Sequence, residues 1–356
     1  MIKSVITGTG SCVPGTAVGN SSFLSAQFFG KDGEKLYQSN QSIIEKFKSV
    51  TGIEERRYAM QDQNASDLGQ IAATEAIKAA NIDKEELSYL IVAHNFGDVA
   101  FESNRVNQVP SIASRIKSLL NISNPDCVAY DIAFGCPGWV EAVIQANCYI
   151  KSGTAKKCLV IGTETLSRII DVHDRDSMIF SDGAGAVVLE AATSGSAGIL
   201  AHKSQTHAVD YSHALGMGHS CSPYVRDKNE LFLRMQGRKV YEFALTHVPV
   251  LMKDLLDKAG IVIDQVSKIL LHQANEKMDK AIFKRLFQLY GKTADDHSIL
   301  PMTIKSLGNS SVATVPTMLD LLLKGNLPGH TVRSGDIILM GSVGAGMNIN
   351  ALIYRV

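Results

Sequence analysis

Two stretches of this chain follow one plan, and that repetition limits what the chain can fold into. Lys78-Ala79-Ala80-Asn81-Ile82-Asp83 leads through Leu87-Ser88 to the apolar run Leu90-Ile91-Val92-Ala93 and then to His94-Asn95. Lys258-Ala259-Gly260-Ile261 leads through Asp264, Val266 and Ser267 to Ile269-Leu270-Leu271 and then to His272-Gln273. Each is a helix end, a polar turn and a strand that stops at a histidine. A second pair agrees: Cys158 to Gly162 with Gly183 to Leu189 matches Ile337 to Gly341 with Gly344 to Met347. The spacings differ because the first copy carries an insertion around residues 163–180. Chance likeness between strand–helix units is the competing reading. Duplication places a boundary near residue 190, giving halves 1–190 and 191–356. The groove between two such halves is the natural place for a site.

Short apolar runs alternate with helical periodicities along the whole length. Strands are expected at 2–7, ended by Gly8-Thr9-Gly10, and at 87–93, 127–132, 157–162 and 184–190. In the second half they are expected at 268–271, 336–340 and 349–354. Helices are expected at 66–80, 112–120, 240–259 with Pro249 as a kink, 276–290 and 315–324. Residues 94–110 read as a loop. Such alternation means an α/β fold with mixed, mostly parallel sheets.

The 356 residues carry 35 basic and 35 acidic side chains, so no whole-chain field draws in nucleic acid or an anionic membrane. No apolar run approaches the ~20 residues of a spanning helix, and the chain opens without a long apolar leader. Cys12, Cys127, Cys136, Cys148, Cys158 and Cys221 show no zinc-type spacing. Nearly all lie in apolar runs, which suits reduced thiols. A soluble cytoplasmic protein is the expectation. His213 and His219 sit in a glycine-rich stretch with no carboxylate or cysteine at helical spacing, so the stretch reads as a loop and no metal is expected.

Within this frame the stretch Tyr130 to Ala142 reads as a strand, a tight turn and a helix, with Cys136 at the turn directly before Pro137. Proline suits the first helical position, where its missing N–H would be unpaired anyway. Cys136 is then the expected N-cap, facing orphan N–H groups and the positive end of the helix dipole. Both favour thiolate over thiol, and thiolate is the nucleophile. The bland reading is a small buried apolar residue. His272 ends an apolar strand, and its bland reading is a core histidine. Asn309, in Gly308-Asn309-Ser310-Ser311, has helix capping as its bland reading. All three share one topology: strand end, sharp turn, helix N-terminus. In an α/β sheet such positions converge at the carboxyl edge. Gly344-Ala345-Gly346 supplies a turn whose backbone N–H groups can approach a bound carbonyl closely.

These motifs make the chain resemble the β-ketoacyl-acyl carrier protein synthase III family of thiolase-fold condensing enzymes. Thr51-Gly52-Ile53 with Arg56, Asp182 to Ala186, and Met235-Gln236-Gly237 support the resemblance, which covers almost the whole chain in order. The resemblance implies a five-layer αβαβα core from two similar halves, usually as a homodimer. It implies that Cys136 takes an acyl group from a thioester, with the N–H groups of Cys136 and Ala345 as oxyanion hole. It implies that His272 and Asn309 stabilise the carbanion formed by decarboxylation of malonyl-acyl carrier protein, and that no cofactor is needed, acyl-CoA entering as substrate. Arg175, Met235, Gly237, Asn275, Gly344 and Gly346 are the implied substrate-binding residues. Arg175 matches one position that flanks the adenine of coenzyme A; at the other, the chain offers Lys46, Phe47, Lys48 and Val50 instead of the usual aromatic. Phe134 and Pro137 replace smaller residues beside the nucleophile, and the loop from Phe96 to Val109 is longer than usual, so acetyl is not assumed as the acyl group.

Lys277, Lys280 and Lys284 fall roughly on one helix face, with Arg285 beside them. They read as a docking patch for an acidic carrier protein or as a solvated face. Rival functions stay open. A thiolase wants a second cysteine near the last glycine turn, where Ser342, Val343 and Met347 stand. A hydroxymethylglutaryl-CoA synthase, a condensing enzyme of specialised metabolism with a non-acetyl donor, a catalytically silent partner subunit and a cysteine hydrolase are the others.

Overall fold

The computed structural model describes residues 2–225, 227–294 and 297–356. One large sheet holds β1 (Lys3–Cys12), β2 (Tyr89–Ala93), β3 (Val128–Ile132), β4 (Lys157–Thr165) and β5 (Asp182–Ala192), in the spatial order β1-β5-β4-β2-β3. The other holds β6 (Gly198–Thr206), β7 (Val266–Leu271), β8 (Ile337–Gly344) and β9 (Asn348–Arg355), in the order β6-β9-β8-β7. Counted from β1 and from β6, successive pairs run antiparallel, antiparallel, parallel in both sheets. The strand β3 extends the first sheet by one more parallel pair. The sheets are thus mixed, and less parallel than the strand–helix alternation suggests. The reason is that β5 follows β4, and β9 follows β8, without a crossover helix, so each returns antiparallel.

The longer helices are α1 (Asn40–Thr51), α2 (Ala65–Ala80), α3 (Ile112–Leu119), α4 (Gly138–Lys151), α5 (Gly237–Ala259), α6 (Glu276–Gln288) and α7 (Thr314–Leu323). On one face of the first sheet, Leu68, Ala72 and Ile116 of α2 and α3 pack on Leu90, Val92 and Leu159. On its other face, Ile91 and Val160 meet Trp139 and Val143 of α4 and Met318 of α7, and this layer continues to Ile338, Met340 and Leu352 of the second sheet. The far face of the second sheet is closed by Leu251 and Leu255 of α5 and Ile282 and Phe283 of α6. The order is helix, sheet, helix, sheet, helix. Because α4 and α7 are covered on both sides, they are apolar nearly all round. The strand β4 is buried from Cys158 to Thr165, as a strand between two covered faces must be. No described helix is long and apolar enough to cross a membrane.

Three local expectations give way. The strand β1 does not end at Gly8-Thr9-Gly10 but runs on to Cys12. A Cβ on Gly8 would stand 2.2 Å from the Ala76 carbonyl oxygen, and one on Gly10 2.2 Å from that of Ala72. These glycines let the alanine face of α2 lie against the strand backbone; they mark close packing, not a chain end. Leu215–Gly218, read as part of a loop, pairs with Phe232–Met235 in a two-stranded ribbon. The loop after β2 contains a short pairing of Asp98–Val99 with Val106–Asn107. Gly10→Ala should therefore cost about 1–3 kcal/mol by overpacking, seen as a lowered Tm in thermal unfolding. Gly15→Ala, with no atom within 4 Å of its added methyl, should leave Tm unchanged.

Candidate active site

The site is assembled where the turn after β3 meets the turn after β8. Gly135 adopts φ +67°, and a Cβ there would lie 2.6 Å from the Ala345 nitrogen. A Cβ on Gly344 would lie 2.4 Å from the Cys136 nitrogen. Glycine at both points lets the two backbones touch, Gly135 against Ala345 and Gly344 against Cys136. Two asparagines of β9 stitch the contact. The Asn348 amide donates to the carbonyls of Ala345 (2.9 Å) and Phe134 (3.3 Å), and the Asn350 amide to that of Pro137 (3.0 Å). Gly346, at φ +76°, completes the turn.

Cys136 is one residue outside its expected place. The Gly138 N–H donates to the Gly135 carbonyl (2.9 Å), closing a turn before the helix, so Pro137 is the cap and α4 starts at Gly138. The expected thiolate is also overturned. Burial pushes the Cys136 thiol up to about 11, and the Glu164 carboxylate adds to the rise, while a hydrogen bond from Ser311 opposes it. Desolvation here outweighs the helix end.

His272 follows β7 directly and donates its backbone N–H to the Gly341 carbonyl (2.9 Å). Its ring is buried, which pushes it down to about 3, so the imidazole is neutral. Asn309 is zipped to the segment before β5, its N–H donating to the Ile179 carbonyl (3.0 Å) and its carbonyl accepting from Ser181 (2.8 Å). It does not cap α7, whose cap is Ala313; its side-chain oxygen accepts from the Ser311 N–H (2.8 Å) in a local turn.

Ser311 ties these groups together. Its Oγ lies 3.3 Å from Cys136 Sγ, and its carbonyl accepts from Thr314 Oγ1 (3.0 Å). Thr314 Oγ1 in turn lies 2.7 Å from His272 Nδ1. The run from Asn309 to Thr314 therefore carries the carboxamide, touches the thiol and holds the imidazole. Ser311, in the stretch Gly308-Asn309-Ser310-Ser311, gives no sign of this role in the sequence, because a serine's partners across the fold leave no local signal. Thr314 stands just before the helix expected at 315–324 and carries no signal of its own.

A cavity of about 400 Å³ opens beside this cluster between α1 and the start of α5. Arg175, Met235, Gly237 and Asn275 line it, together with Lys46, Phe47 and Val50. Cys136, His272 and Asn309 are not among its walls; Ala274 and Asn275, next to His272 in the chain, are. Asn275 also caps α6 by accepting from the Met278 N–H (3.1 Å). On α6, Lys277, Lys280, Lys284 and Arg285 are exposed, with Lys280 paired to Glu276. Among the described residues no three His, Cys, Asp or Glu side chains are grouped to hold a metal, and His213 and His219 are no exception.

Comparison with known proteins gives this geometry its family. Residues 130–208 match 3-oxoacyl-[acyl-carrier-protein] synthase III, and residues 256–356 match its C-terminal domain. A β-ketoacyl-[acyl-carrier-protein] synthase III of Sphingopyxis alaskensis is 32% identical, with 99% of each chain covered. The chain belongs to the β-ketoacyl-[acyl-carrier-protein] synthase III family. The synthase III of Aquifex aeolicus superposes with a TM-score of 0.80 at 29% identity, over 99% of this chain and 100% of that one. The priming β-ketosynthase of the R1128 polyketide biosynthetic pathway superposes equally, 0.80 at 25% identity, over 99% and 96%. The fold is the expected thiolase type, and the protein is a condensing enzyme of the acyltransferase class, within fatty acid biosynthesis.

A thiol held near 11 makes a simple prediction. The thiolate fraction grows as pH rises, so alkylation of Cys136 by iodoacetamide should accelerate roughly tenfold per pH unit through the neutral and mildly alkaline range. Peptide mapping of the adduct measures it; a plateau at neutral pH would mean a thiolate is already formed at rest.

Proposed function

We propose that this enzyme condenses an acyl group from a coenzyme A thioester with malonyl-acyl carrier protein, releasing carbon dioxide and giving β-ketoacyl-acyl carrier protein. The observation that carries the reading is the Asn309–Thr314 run, which joins a thiol, a carboxamide and an imidazole from distant parts of the chain.

Cys136 Sγ attacks the acyl thioester, the coenzyme A sulfur leaves with the thiol proton, and acyl-Cys136 remains. The paired N–H groups of Cys136 and Ala345 hold the oxyanion of the tetrahedral intermediate. The malonyl thioester then enters. Asn309 has its oxygen engaged by Ser311, which leaves its NH2 to donate to the thioester carbonyl. His272 has Nδ1 engaged by Thr314; the threonine's one proton, directed at the Ser311 carbonyl at rest, turns to Nδ1, so that the ring proton sits on Nε2 and is the second donor. Loss of carbon dioxide makes a carbanion without a strong base or a metal, and it attacks the acyl-Cys136 carbonyl. Coenzyme A is thus a substrate carrier and no resident cofactor is called for.

The cavity supports coenzyme A as acyl donor: Arg175, Met235, Gly237 and Asn275 all line it, and in this reading Arg175 meets the adenine while the other three flank the pantetheine arm. Gly344 and Gly346 keep the final turn low beside the acyl group. Lys277, Lys280 and Lys284 are the docking patch for the acidic carrier protein, close to Asn275 on the same helix. We read the chain as halves 1–190 and 191–356, acting as a cytoplasmic homodimer. The edge strand β3 supports this, since its outer side is unpaired among the described residues and Val128 is 48% exposed. Phe134 and Pro137 beside the nucleophile favour a non-acetyl acyl group, and a specialised pathway is the alternative setting.

Intact-protein mass spectrometry tests the reading. A panel of acyl-CoA thioesters should add one acyl mass to wild type and none to Cys136→Ala. Malonyl-acyl carrier protein should then remove that mass with release of carbon dioxide. No acylation would point to a silent partner subunit, and discharge by water alone to a hydrolase. His272→Ala or Asn309→Ala should still acylate but lose about 10²–10³-fold in condensation rate, the usual worth of one oxyanion donor.

A further inference from the structure

The histidine-ended strand of the first half, β2 with His94-Asn95, has no part in the mechanism above, yet it reaches the nucleophile. His94 is anchored on both ring nitrogens: Nδ1 accepts from the Gly97 N–H (3.0 Å), so Nε2 carries the proton and donates to Asp131 Oδ2 (2.9 Å). Its own N–H donates to the Ile132 carbonyl (3.3 Å). Asn95 is thereby held in place. Its backbone N–H (3.0 Å) and its side-chain nitrogen (2.8 Å) both donate to Glu164 Oε2, and that nitrogen also lies 3.1 Å from Ser311 Oγ. Glu164, on β4, is 1% exposed.

We propose that Asn95 and Glu164 are positioning residues that aim the Ser311 hydroxyl proton at Cys136 Sγ, making Ser311 a direct donor to the sulfur anion in both half-reactions. The proposal rests on Cys136 as the nucleophile. A carboxylate oxygen only accepts, so Glu164 forces the Asn95 amide to present its NH2 group. The second N–H of that group then points at Ser311 Oγ. A hydroxyl has one proton, and with its oxygen already accepting, that proton is left for Sγ at 3.3 Å. Ser311 sits at φ +53°, a left-handed conformation that serine rarely adopts, held there by the Asn309 oxygen on its N–H and Thr314 on its carbonyl.

The chain is not a proton wire, because an amide NH2 donates on both sides and accepts on neither. It fixes direction only. In acylation the S–H bond breaks, the S–C bond forms, and the proton leaves on the coenzyme A sulfur. In condensation the C–S bond to Cys136 breaks and the sulfur again carries negative charge. At both moments an oriented O–H donor stabilises the anion more than the neutral thiol or thioester.

The experiment uses the full chain and follows iodoacetamide alkylation of Cys136 by mass at fixed mildly alkaline pH, for wild type, S311A, N95A, the S311A/N95A double variant and E164Q. S311A and N95A should each slow alkylation about tenfold, one pK unit of lost anion stabilisation. The double variant should be no slower than S311A, since Asn95 acts through Ser311. E164Q keeps an acceptor for Asn95 and removes a negative charge, so it should be at least as fast as wild type. A double variant slower by the product of the single effects, unchanged rates in folded single variants, or an E164Q as slow as N95A would overturn the proposal. The same preparations incubated with acyl-CoA separate this from the functional reading: a wild type that alkylates at Cys136 but never acylates refutes the reading, whereas acylation without the expected coupling refutes only the positioning chain.

Discussion

The architecture of the site depends on one contact, the approach of two backbone turns that belong to different sheets. Gly135 and Gly344 stand where any side chain would collide with the opposite turn. Their absence of a Cβ lets the two turns touch, and Asn348 bridges them by donating to the carbonyls of Ala345 and Phe134 while Asn350 donates to that of Pro137. The turns can be brought so close only because α4 and α7 fill the layer between the two sheets with apolar side chains. Core packing therefore sets the spacing, and the glycines use it.

Burial gives the site its electrostatic character. With little water to solvate charge, the thiol and the imidazole are both held neutral at physiological pH. Charge then appears only as bonds change: on sulfur during acyl transfer, on oxygen during decarboxylation. Donors already fixed in place stabilise such transient charge without reorganising, and a low local dielectric strengthens each of them. Glu164 fits the same picture from the opposite side, since burial pushes its carboxyl up to about 7 and its negative charge opposes the thiolate.

The two sheets share strand order and sense over four strands, so equivalent strand ends carry equivalent duties. After β7 the chain delivers His272 to the site. After β2 it delivers His94 and Asn95, of which the histidine braces the fold and the asparagine reaches Ser311. A repeated unit thus supplies two kinds of side chain to one centre, which is cheaper in structure than building each approach anew.

Periodicity and turn residues marked out most strands and helices to within a few positions and the repetition of the plan; Cys136 and His272 each follow an apolar run broken at a sharp turn, whereas Asn309 follows the short helix Ile304–Leu307 and not the expected strand end, and was singled out by the resemblance of its motif. These are local signals, decided by side-chain pattern over a handful of neighbours. Gly8 and Gly10 read as a strand end because nothing nearby shows the alanine face of α2 lying on them. The thiolate expectation failed for a like reason: a helix end is visible in the sequence, but the desolvation that overrides it is a property of the finished core. Ser311, Thr314, Asn95 and Glu164 acquired their roles only when segments from both halves met, because hydrogen bonds are made across space and depend on distances of a few tenths of an ångström that no spacing along the chain encodes.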